Sequence, residues 1–494
     1  MTTSLQELMD GSGVTFGTSG ARGLATAMTD RVCHAYTLGF LQHLASIGDL
    51  PDRPTPVAVA GDFRPSTDRI LAAVCRAIED AGHTPVNCGK IPSPAVALHG
   101  LVHRHPSIMV TGSHIPDDRN GIKFNKVAGE ILKDDESAMR RQVVESDDAL
   151  FQPDGLFSKL RPLPLLRIEA VRAYIRRYLD FFPADCLQGF RVGVYQHSAV
   201  GRDVLAEVFR DLGAEVTELG RSEKFIPVDT EAIRPEDVAL AREWAASGNF
   251  DALVSADGDS DRPLLSDERG EWLRGDVAGV LVARYLGADS VSVPVSCNTA
   301  LEQTGWFKEI RRTRIGSPFV IASMLDASSR GAQCAVGYEA NGGFLLNSNI
   351  SRNGKSLRAL PTRDALIVLL SIPLLARAEG KTIRELLATL PPRFTASDRL
   401  KNFAVERSQA ILQRFNTGTP ASDAVALEAS FGAAFGPVAT LDRTDGLRIT
   451  FASGEIVHLR PSGNAPEFRC YTEADSPEQA VAINAQAMAV LSQL

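Results

Sequence analysis

Val57-Ala58-Val59-Ala60-Gly61-Asp62-Phe63-Arg64-Pro65-Ser66 is the stretch that decides the fold class. Its four small apolar residues fit a strand buried on both faces, and Gly61 to Ser66 reads as a polar turn. Beyond the turn, Ile70, Leu71, Val74 and Ile78 recur at helical spacing, Gly82 stops the helix, and Val86 to Gly89 returns as a strand. The same order comes back at Val192-Gly193-Val194-Tyr195. There Val204, Leu205, Val208, Phe209 and Leu212 form the helix stripe, Gly213 ends it, and Val216 to Leu219 follows. A fainter copy starts at Val291-Ser292-Val293-Pro294-Val295, with a helix near Leu301 to Trp306 and Gly316 after the next strand. Strand, helix, glycine stop, strand is the βαβ pattern, which builds mostly parallel sheets covered by helices and binds ligands at the carboxyl ends of the strands. Three copies predict three α/β domains of similar build, with mixed or parallel sheets.

After Leu390-Pro391-Pro392 the pattern changes. Leu447, Ile449 and Phe451 alternate behind Asp445-Gly446, Ser453-Gly454 turns the chain into Ile456 to Leu459, and a last helix starts with Ser476 as N-cap and Pro477 at its first position. This predicts a C-terminal α+β domain. A chain of 494 residues is too long for a single core. The expected divisions are 1–160, 161–265, 266–390 and 391–494.

The totals exclude several classes. Hydrophobic residues at 44% and charged residues at 23% describe an ordered globular chain, and a net charge of −8 without runs of like charge gives no reason to expect nucleic acid or an anionic membrane as partner. Met1 to Thr15 has neither the basic start nor the apolar core of a secretory signal. The most apolar run, Ala365 to Ala376, lies between Asp364 and Arg377 and contains Pro373; at twelve residues it falls short of the roughly 20 a bilayer needs and reads as a buried helix. Seven dispersed cysteines without a Cys-x-x-Cys pair suggest reduced thiols and a cytoplasmic compartment.

Five stretches carry chemistry. In Val110-Thr111-Gly112-Ser113-His114-Ile115-Pro116, a short buried strand, Ser107 to Val110, empties into a small polar turn. A serine there either closes local backbone or presents its hydroxyl to a cleft. Asp257-Gly258-Asp259-Ser260-Asp261-Arg262 sets three carboxylates at alternating positions of a tight loop after an apolar strand. Crowded carboxylates repel, and a hard divalent cation with oxygen ligands removes that conflict. An EF-hand is the rival reading, since Glu268 falls at the twelfth position, but Arg262 stands where that loop needs glycine. A solvated acidic turn is the plain alternative. Arg460-Pro461-Ser462-Gly463-Asn464-Ala465-Pro466-Glu467-Phe468-Arg469 offers backbone donors between two forked cations, which suits a phosphate or else is a polar hairpin. Thr15-Phe16-Gly17-Thr18-Ser19-Gly20-Ala21-Arg22-Gly23 is either an anion-facing loop or a flexible turn. Gly337-Tyr338-Glu339-Ala340-Asn341-Gly342-Gly343-Phe344 places a carboxylate and an amide where vicinal sugar hydroxyls, or merely a hairpin, would use them. His99, His103 and His105 fit a helix end and read as structural.

Together and in this order, the five stretches resemble the α-D-phosphohexomutase family, which includes phosphomannomutases and phosphoglucomutases. The resemblance runs from Phe16 to Tyr471. It implies three similar α/β domains and a C-terminal domain around a central cleft. It also implies reversible exchange of hexose 6-phosphate and hexose 1-phosphate through a phosphoserine and a hexose 1,6-bisphosphate, which serves as intermediate and activator. By that resemblance Ser113 carries the phosphoryl group, with Arg22, His114 and Lys123 beside it. Ser113, Asp257, Asp259 and Asp261 hold Mg²⁺. Arg262, Glu339 and Asn341 meet the sugar phosphate, and Arg460, Ser462, Gly463, Asn464 and Arg469 grip the phosphate that is not transferred. The partner is then a small phosphosugar.

Several positions depart from the family pattern. Gly112 and Ile115 differ from Thr-Ala-Ser-His-Asn-Pro, and Ser260 stands where glycine is common. The sugar loop lacks the Glu-x-Ser-Gly-His form, Asn464-Ala465 replaces Thr-Glu, and Ser317-Pro318 replaces Asp-Arg. Mannose ranks first as substrate and glucose close behind; Glu339 would contact O3 and O4, which both sugars share, and nothing in the sequence reads O2. A Mg²⁺-dependent sugar-phosphate phosphatase and a catalytically silent relative are the rival functions.

Overall fold

A computed structural model describes residues 2–17, 20–50, 54–159, 161–462 and 466–494. The chain divides into two compact units, Met1–Ser290 with Gly316–Leu386, and Val291–Ile315 with Leu387–Leu494.

In the first unit, the strand Pro56–Gly61 is the middle of a parallel trio. It pairs on one side with Thr84–Lys90 and on the other with Ser107–Val110. The helix Thr67–Asp80 covers this sheet with the predicted stripe, Ile70, Leu71, Val74 and Ile78, all fully buried. Each such side chain contributes about 1.5–3 kcal/mol by leaving water. Ser107–Val110 then pairs antiparallel with Arg119–Lys126, which pairs with Ala21–Leu24 and, beyond it, Thr15–Phe16. The sheet is therefore mixed. Its two central strands, Pro56–Gly61 and Ser107–Val110, end side by side, so the turns at Asp62 and Ser113 meet.

The second sheet repeats the plan. Arg191–His197 pairs parallel with Glu215–Arg221 and with Ala252–Ala256, and Pro263–Leu265 returns antiparallel. The acidic segment is the short loop joining these last two strands. The helix Arg202–Asp211 buries Val204, Leu205, Val208 and Phe209 as its spacing predicts. A further hairpin, Ala335–Tyr338 with Phe344–Leu346, carries Glu339 to Gly343 at its turn. The apolar run is the buried helix Ala365–Ala378, capped by Asp364 and packed on Gly275–Leu286. No helix among the described residues is long and apolar enough to cross a membrane.

The structure adds elements at one place and amends an expectation at another. The N-terminal stretch holds a helix, Leu5–Ser12, closed by a Ser4–Glu7 capping box, and a strand, Thr2–Ser4, paired with Val143–Glu145. In the second unit, the helix expected from Leu301 to Trp306 is a single turn, Ala300–Gln303, and Gly305 follows with a φ of 64° that breaks it.

The second unit otherwise follows the predicted meander. Five antiparallel strands lie in the order Phe394–Lys401, Glu467–Ala474, Ile456–Pro461, Leu447–Phe451, Val438–Asp442. Leu447, Ile449 and Phe451 point into a core with Phe431, Leu459 and Phe468. The closing helix Pro477–Leu491 has Ser476 accepting from the Gln479 amide.

All seven cysteines are free. Cys33, Cys75, Cys88 and Cys470 are buried, and burial pushes their thiols up to about 12. At about pH 8, roughly one in 10⁴ of such thiols is thiolate. An aromatic disulfide reagent should leave these four untouched in the native chain and modify them in urea. Rapid native labelling of any of them, located by peptide mass spectrometry, would contradict this packing.

Candidate active site

Ser113 sits at the carboxyl end of Ser107–Val110, fully buried, with a φ of 56°. A non-glycine residue in that region is strained by about 1–3 kcal/mol and persists only where its surroundings hold it. Here the holding is explicit. The Ser113 amide donates to Thr111 Oγ1 at 2.7 Å, and Thr111 Oγ1 donates to Asp62 Oδ2 at 2.7 Å. Arg64 uses its whole guanidinium: Nη2 donates to the carbonyls of Ser113 (2.8 Å) and Ile115 (2.5 Å), Nη1 to those of Pro116 (2.6 Å) and Arg119 (2.9 Å), and Nε to Asp62 Oδ2 (3.1 Å). The ring of Phe225 lies 4.2 Å from its Cζ. A Cβ on Gly112 would stand 2.5 Å from that same Cζ, so this turn needs glycine before the serine.

The serine hydroxyl donates to Asp257 Oδ2 at 2.5 Å, and His114 Nδ1 lies 3.4 Å from the same oxygen. Burial, reinforced by Arg262 and Arg22, drives the His114 pKa down to about 2, so the ring is neutral at ordinary pH. Its Nε2 is 4.0 Å from Asp229.

Asp257, Asp259 and Asp261 place one oxygen each within 4.8 Å of the others, and all three are buried. Ser260 makes the loop's reversal with a φ of 57°, and its Oγ accepts from the Gly201 amide at 2.9 Å. Lys123 Nζ donates to Asp259 Oδ2 (2.5 Å) and Asp261 Oδ2 (2.6 Å). Ser93 Oγ donates to Asp259 Oδ2 at 2.6 Å. Burial opposes the Lys123 charge, but Asp259 and Asp261 outweigh it and raise its pKa. Asp257 is raised well above the carboxylate range by burial and then by Asp259 and Asp261. Asp259 and Asp261, answered by Lys123 and Arg363, are lowered despite burial. Asp259 Oδ1 and Asp261 Oδ1 are buried and make no hydrogen bond among the described residues. An all-oxygen set with two orphaned anionic atoms fits a hard divalent cation. The EF-hand alternative fails because Glu268 accepts from Thr382 Oγ1 and the Arg384 amide, turned to another part of the chain.

Other expected residues are placed as follows. Arg22 lies on Ala21–Leu24, with its pKa brought down to about 10 by burial and then by Arg262. Arg262 Nε is buried without a hydrogen bond among the described residues. Glu339 Oε2 accepts from Arg363 Nη1 at 3.2 Å. Asn341 Oδ1 accepts from the Gly343 amide at 2.9 Å, so the amide expected to meet hydroxyls also closes its own turn. His99, His103 and His105 stack where the helix Ser93–His103 runs out.

In the second unit, Arg460 and Arg469 face each other across paired strands, and Arg399 extends the row on the next strand. Like charges side by side destabilise a sheet unless something answers them. Asp445 answers Arg460 at 2.9 Å, and Glu467 answers Arg469 at 3.2 Å and Arg399 at 3.1 Å. The described residues form a polar hairpin whose arginines are each met by a carboxylate. Ser462 is buried, its amide donating to the Glu467 carbonyl. Gly463 and Asn464, like Thr18 and Ser19 of the opening loop, lie outside the described residues.

The sequence reading passed over Asp62, Arg64, Ser93 and Arg363. Asp62 and Arg64 belong to a segment whose composition marks only a turn, and Arg363 precedes an apolar run whose length marks only a buried helix.

Four family models cover the chain in order: phosphoglucomutase/phosphomannomutase alpha/beta/alpha domain I at residues 13–149, domain II at 172–270, domain III at 274–394 and the C-terminal domain at 400–490. A phosphomannomutase of Salmonella muenchen is 44% identical over 96% of this chain and 95% of its own. One from Sinorhizobium fredii is 43% identical over 97% and 99%. A phosphoglucomutase/phosphomannomutase family protein from Burkholderia thailandensis, solved by X-ray crystallography, shares the fold with a TM-score of 0.72 at 18% identity, over 96% of each chain.

Arg64 and Asp62 are a fully buried pair, and breaking such a pair costs about 3–5 kcal/mol. R64A should lose that much in urea unfolding and speed amide hydrogen exchange across residues 113–119. G112A should lose about 1–3 kcal/mol by overpacking. An R64A protein with native exchange in this loop would refute the clamp.

Proposed function

Because the chain belongs to the phosphoglucomutase/phosphomannomutase family, we propose that it interconverts mannose 6-phosphate and mannose 1-phosphate by way of a phosphorylated Ser113. The observation that carries this reading is the Ser113 hydroxyl, held on a left-handed backbone and hydrogen-bonded to the first of three buried carboxylates. Phosphoserine 113 gives its phosphoryl group to the free hydroxyl of a hexose monophosphate. The P–Oγ bond breaks as the sugar O–P bond forms, and the sugar's proton ends on Oγ, where Asp257 Oδ2 accepts it in a hydrogen bond. The resulting 1,6-bisphosphate reorients, and its other phosphoryl group returns to Ser113.

Lys123, Arg22 and Arg262 supply the fixed positive field that meets charge on the moving phosphoryl oxygens. His114, kept neutral, lies against Oγ without adding charge. Glu339 and Asn341 take sugar hydroxyls. Arg460, Ser462, Gly463, Asn464 and Arg469 bind the phosphate that stays on the sugar. Mg²⁺ fits Asp257, Asp259 and Asp261 with the phosphorylated serine, and when bound it neutralises charge on the phosphoryl group. The domains are taken as 1–160, 161–265, 266–390 and 391–494. The unpaired cysteines support a reducing, cytoplasmic setting.

Mannose is preferred to glucose on the strength of the two phosphomannomutase relatives. Glucose is the second substrate, since Glu339 would read hydroxyls common to both.

Purified chain incubated with Mg²⁺ and a hexose 1,6-bisphosphate should gain the mass of one phosphate on Ser113. In a coupled assay it should turn over mannose 1-phosphate ahead of glucose and glucosamine 1-phosphates. S113A should lose about 10³-fold or more in kcat, as removal of a nucleophile does, and chelation of Mg²⁺ should stop turnover. Release of inorganic phosphate without isomerisation would replace the mutase with a phosphatase.

A further inference from the structure

Arg363 joins the two recognition loops. Its Nε donates to Asp261 Oδ2 at 3.0 Å and its Nη1 to Glu339 Oε2 at 3.2 Å, and the side chain is buried. The residues flanking it are anchored independently. Thr362 Oγ1 donates to Glu130 Oε1 at 2.6 Å. The Asp364 carboxylate accepts from Tyr174 at 2.6 Å, from Tyr178, and from the Leu366 amide that begins the long apolar helix. The guanidinium is thus delivered from a rigid base, and its two contacts reach loops about 80 residues apart in sequence, at Asp261 and Glu339.

A second observation concerns volume. A Cβ on Gly343 would lie 2.4 Å from Arg363 Cδ and 2.6 Å from its Cγ. The arginine stem fills the space that any side chain at 343 would need. This is the end of the same loop whose residues depart from the Glu-x-Ser-Gly-His form.

We propose that Arg363 is a positioning residue of the phosphosugar reaction: it holds Glu339 Oε2 so that Oε1 faces the sugar hydroxyls, ties that carboxylate to Asp261 of the acidic loop, and requires glycine at 343. The inference rests on the mutase reading given above. A lysine cannot serve in its place, because Asp261 and Glu339 are met by two different nitrogens of one planar fork, Nε and Nη1, and a lysine has a single nitrogen. Loss of the arginine leaves Glu339 free to turn away and Asp261 short of one of its counter-charges.

The test uses the full chain as wild type, R363A, R363K, G343A and R363A/G343A. Melting curves establish folding, calorimetry measures mannose 1-phosphate binding, intact mass follows Ser113 phosphorylation, and a coupled assay separates kcat from KM. R363A should raise KM and the calorimetric Kd by about tenfold and lower kcat/KM by about 100-fold, the size expected for charge-assisted contacts. R363K should remain within about threefold of R363A. G343A should lower kcat/KM about 30-fold in the wild-type background but by less than about threefold in the R363A background, because the colliding stem is gone. Equal losses in both backgrounds, or an R363A that shifts only the melting curve, would overturn the proposal. If R363A does not fold, G343A decides alone: unchanged sugar-phosphate affinity overturns the proposal and weakened affinity with normal Ser113 phosphorylation supports it. A wild type that binds mannose 1-phosphate but neither isomerises it nor accepts phosphate on Ser113 would instead remove the mutase reading, while the coupling of 343 with 363 in binding is scored separately.

Discussion

Three carboxylates closed into one buried loop set the terms for the whole site. With oxygens within 4.8 Å, each ionised pair among Asp257, Asp259 and Asp261 repels by about 3–4 kcal/mol at an effective dielectric near 20. With all three ionised the repulsion would come to about 10 kcal/mol, comparable with the entire stability of a domain, and the upward shift of Asp257 is one answer to it. The loop therefore cannot exist without partners, and its partners come from different elements. Lys123 is on a strand of the first sheet, Ser113 lies on a turn beside that sheet, Ser93 opens the helix Ser93–His103, and Arg363 precedes the apolar helix. Compensating one repulsion gathers Ser113, Lys123 and, through Arg363, the Glu339 turn around a single point.

The serine turn shows the same logic with the sign reversed. Arg64 is a buried cation whose five N–H groups are all answered, four directions going to backbone carbonyls and one to Asp62. A buried guanidinium left partly unpaired would be costly, whereas a saturated one fixes the path of every carbonyl it touches. This allows Ser113 to hold a left-handed backbone conformation without glycine. The strained backbone of Ser113 is thus held at the end of a buried strand by one arginine and the Asp62–Thr111 pair.

Much of this could be read from the sequence. Apolar periodicity gave the strands and helices of the first two copies, since buried stripes leave a direct trace in residue order. The chemically telling loops were legible because they gather residues of one kind within ten positions. What escaped was long-range. Arg64 reaches Ser113 across 49 positions and Arg363 reaches Asp261 across 102, and no local pattern marks either arginine. The helix Leu5–Ser12 escaped for a different reason: it is short and its apolar face, Leu5 and Met9, is only two buried residues wide. The helix Ala300–Gln303 is shorter than the span Leu301 to Trp306 suggests, because Gly305 follows it in a left-handed conformation.

The departures from the family pattern make sense as halves of pairs. Gly112 stands against the Arg64 guanidinium, where a methyl group would sit 2.5 Å from Cζ. Gly343 stands against the Arg363 stem in the same way. Ser260 takes a left-handed conformation that glycine would adopt more cheaply, and its hydroxyl recovers part of that cost by capping the Gly201 amide. In each case the residue at the site is small or strained because a neighbour far away in sequence supplies the missing volume or bond. A loop compared position by position with its relatives looks degraded, while the same loop with its packing partner looks complete. The packing of such a loop is then a property of the pair, the loop residue and the distant side chain that shapes it, and changing either member alone perturbs both.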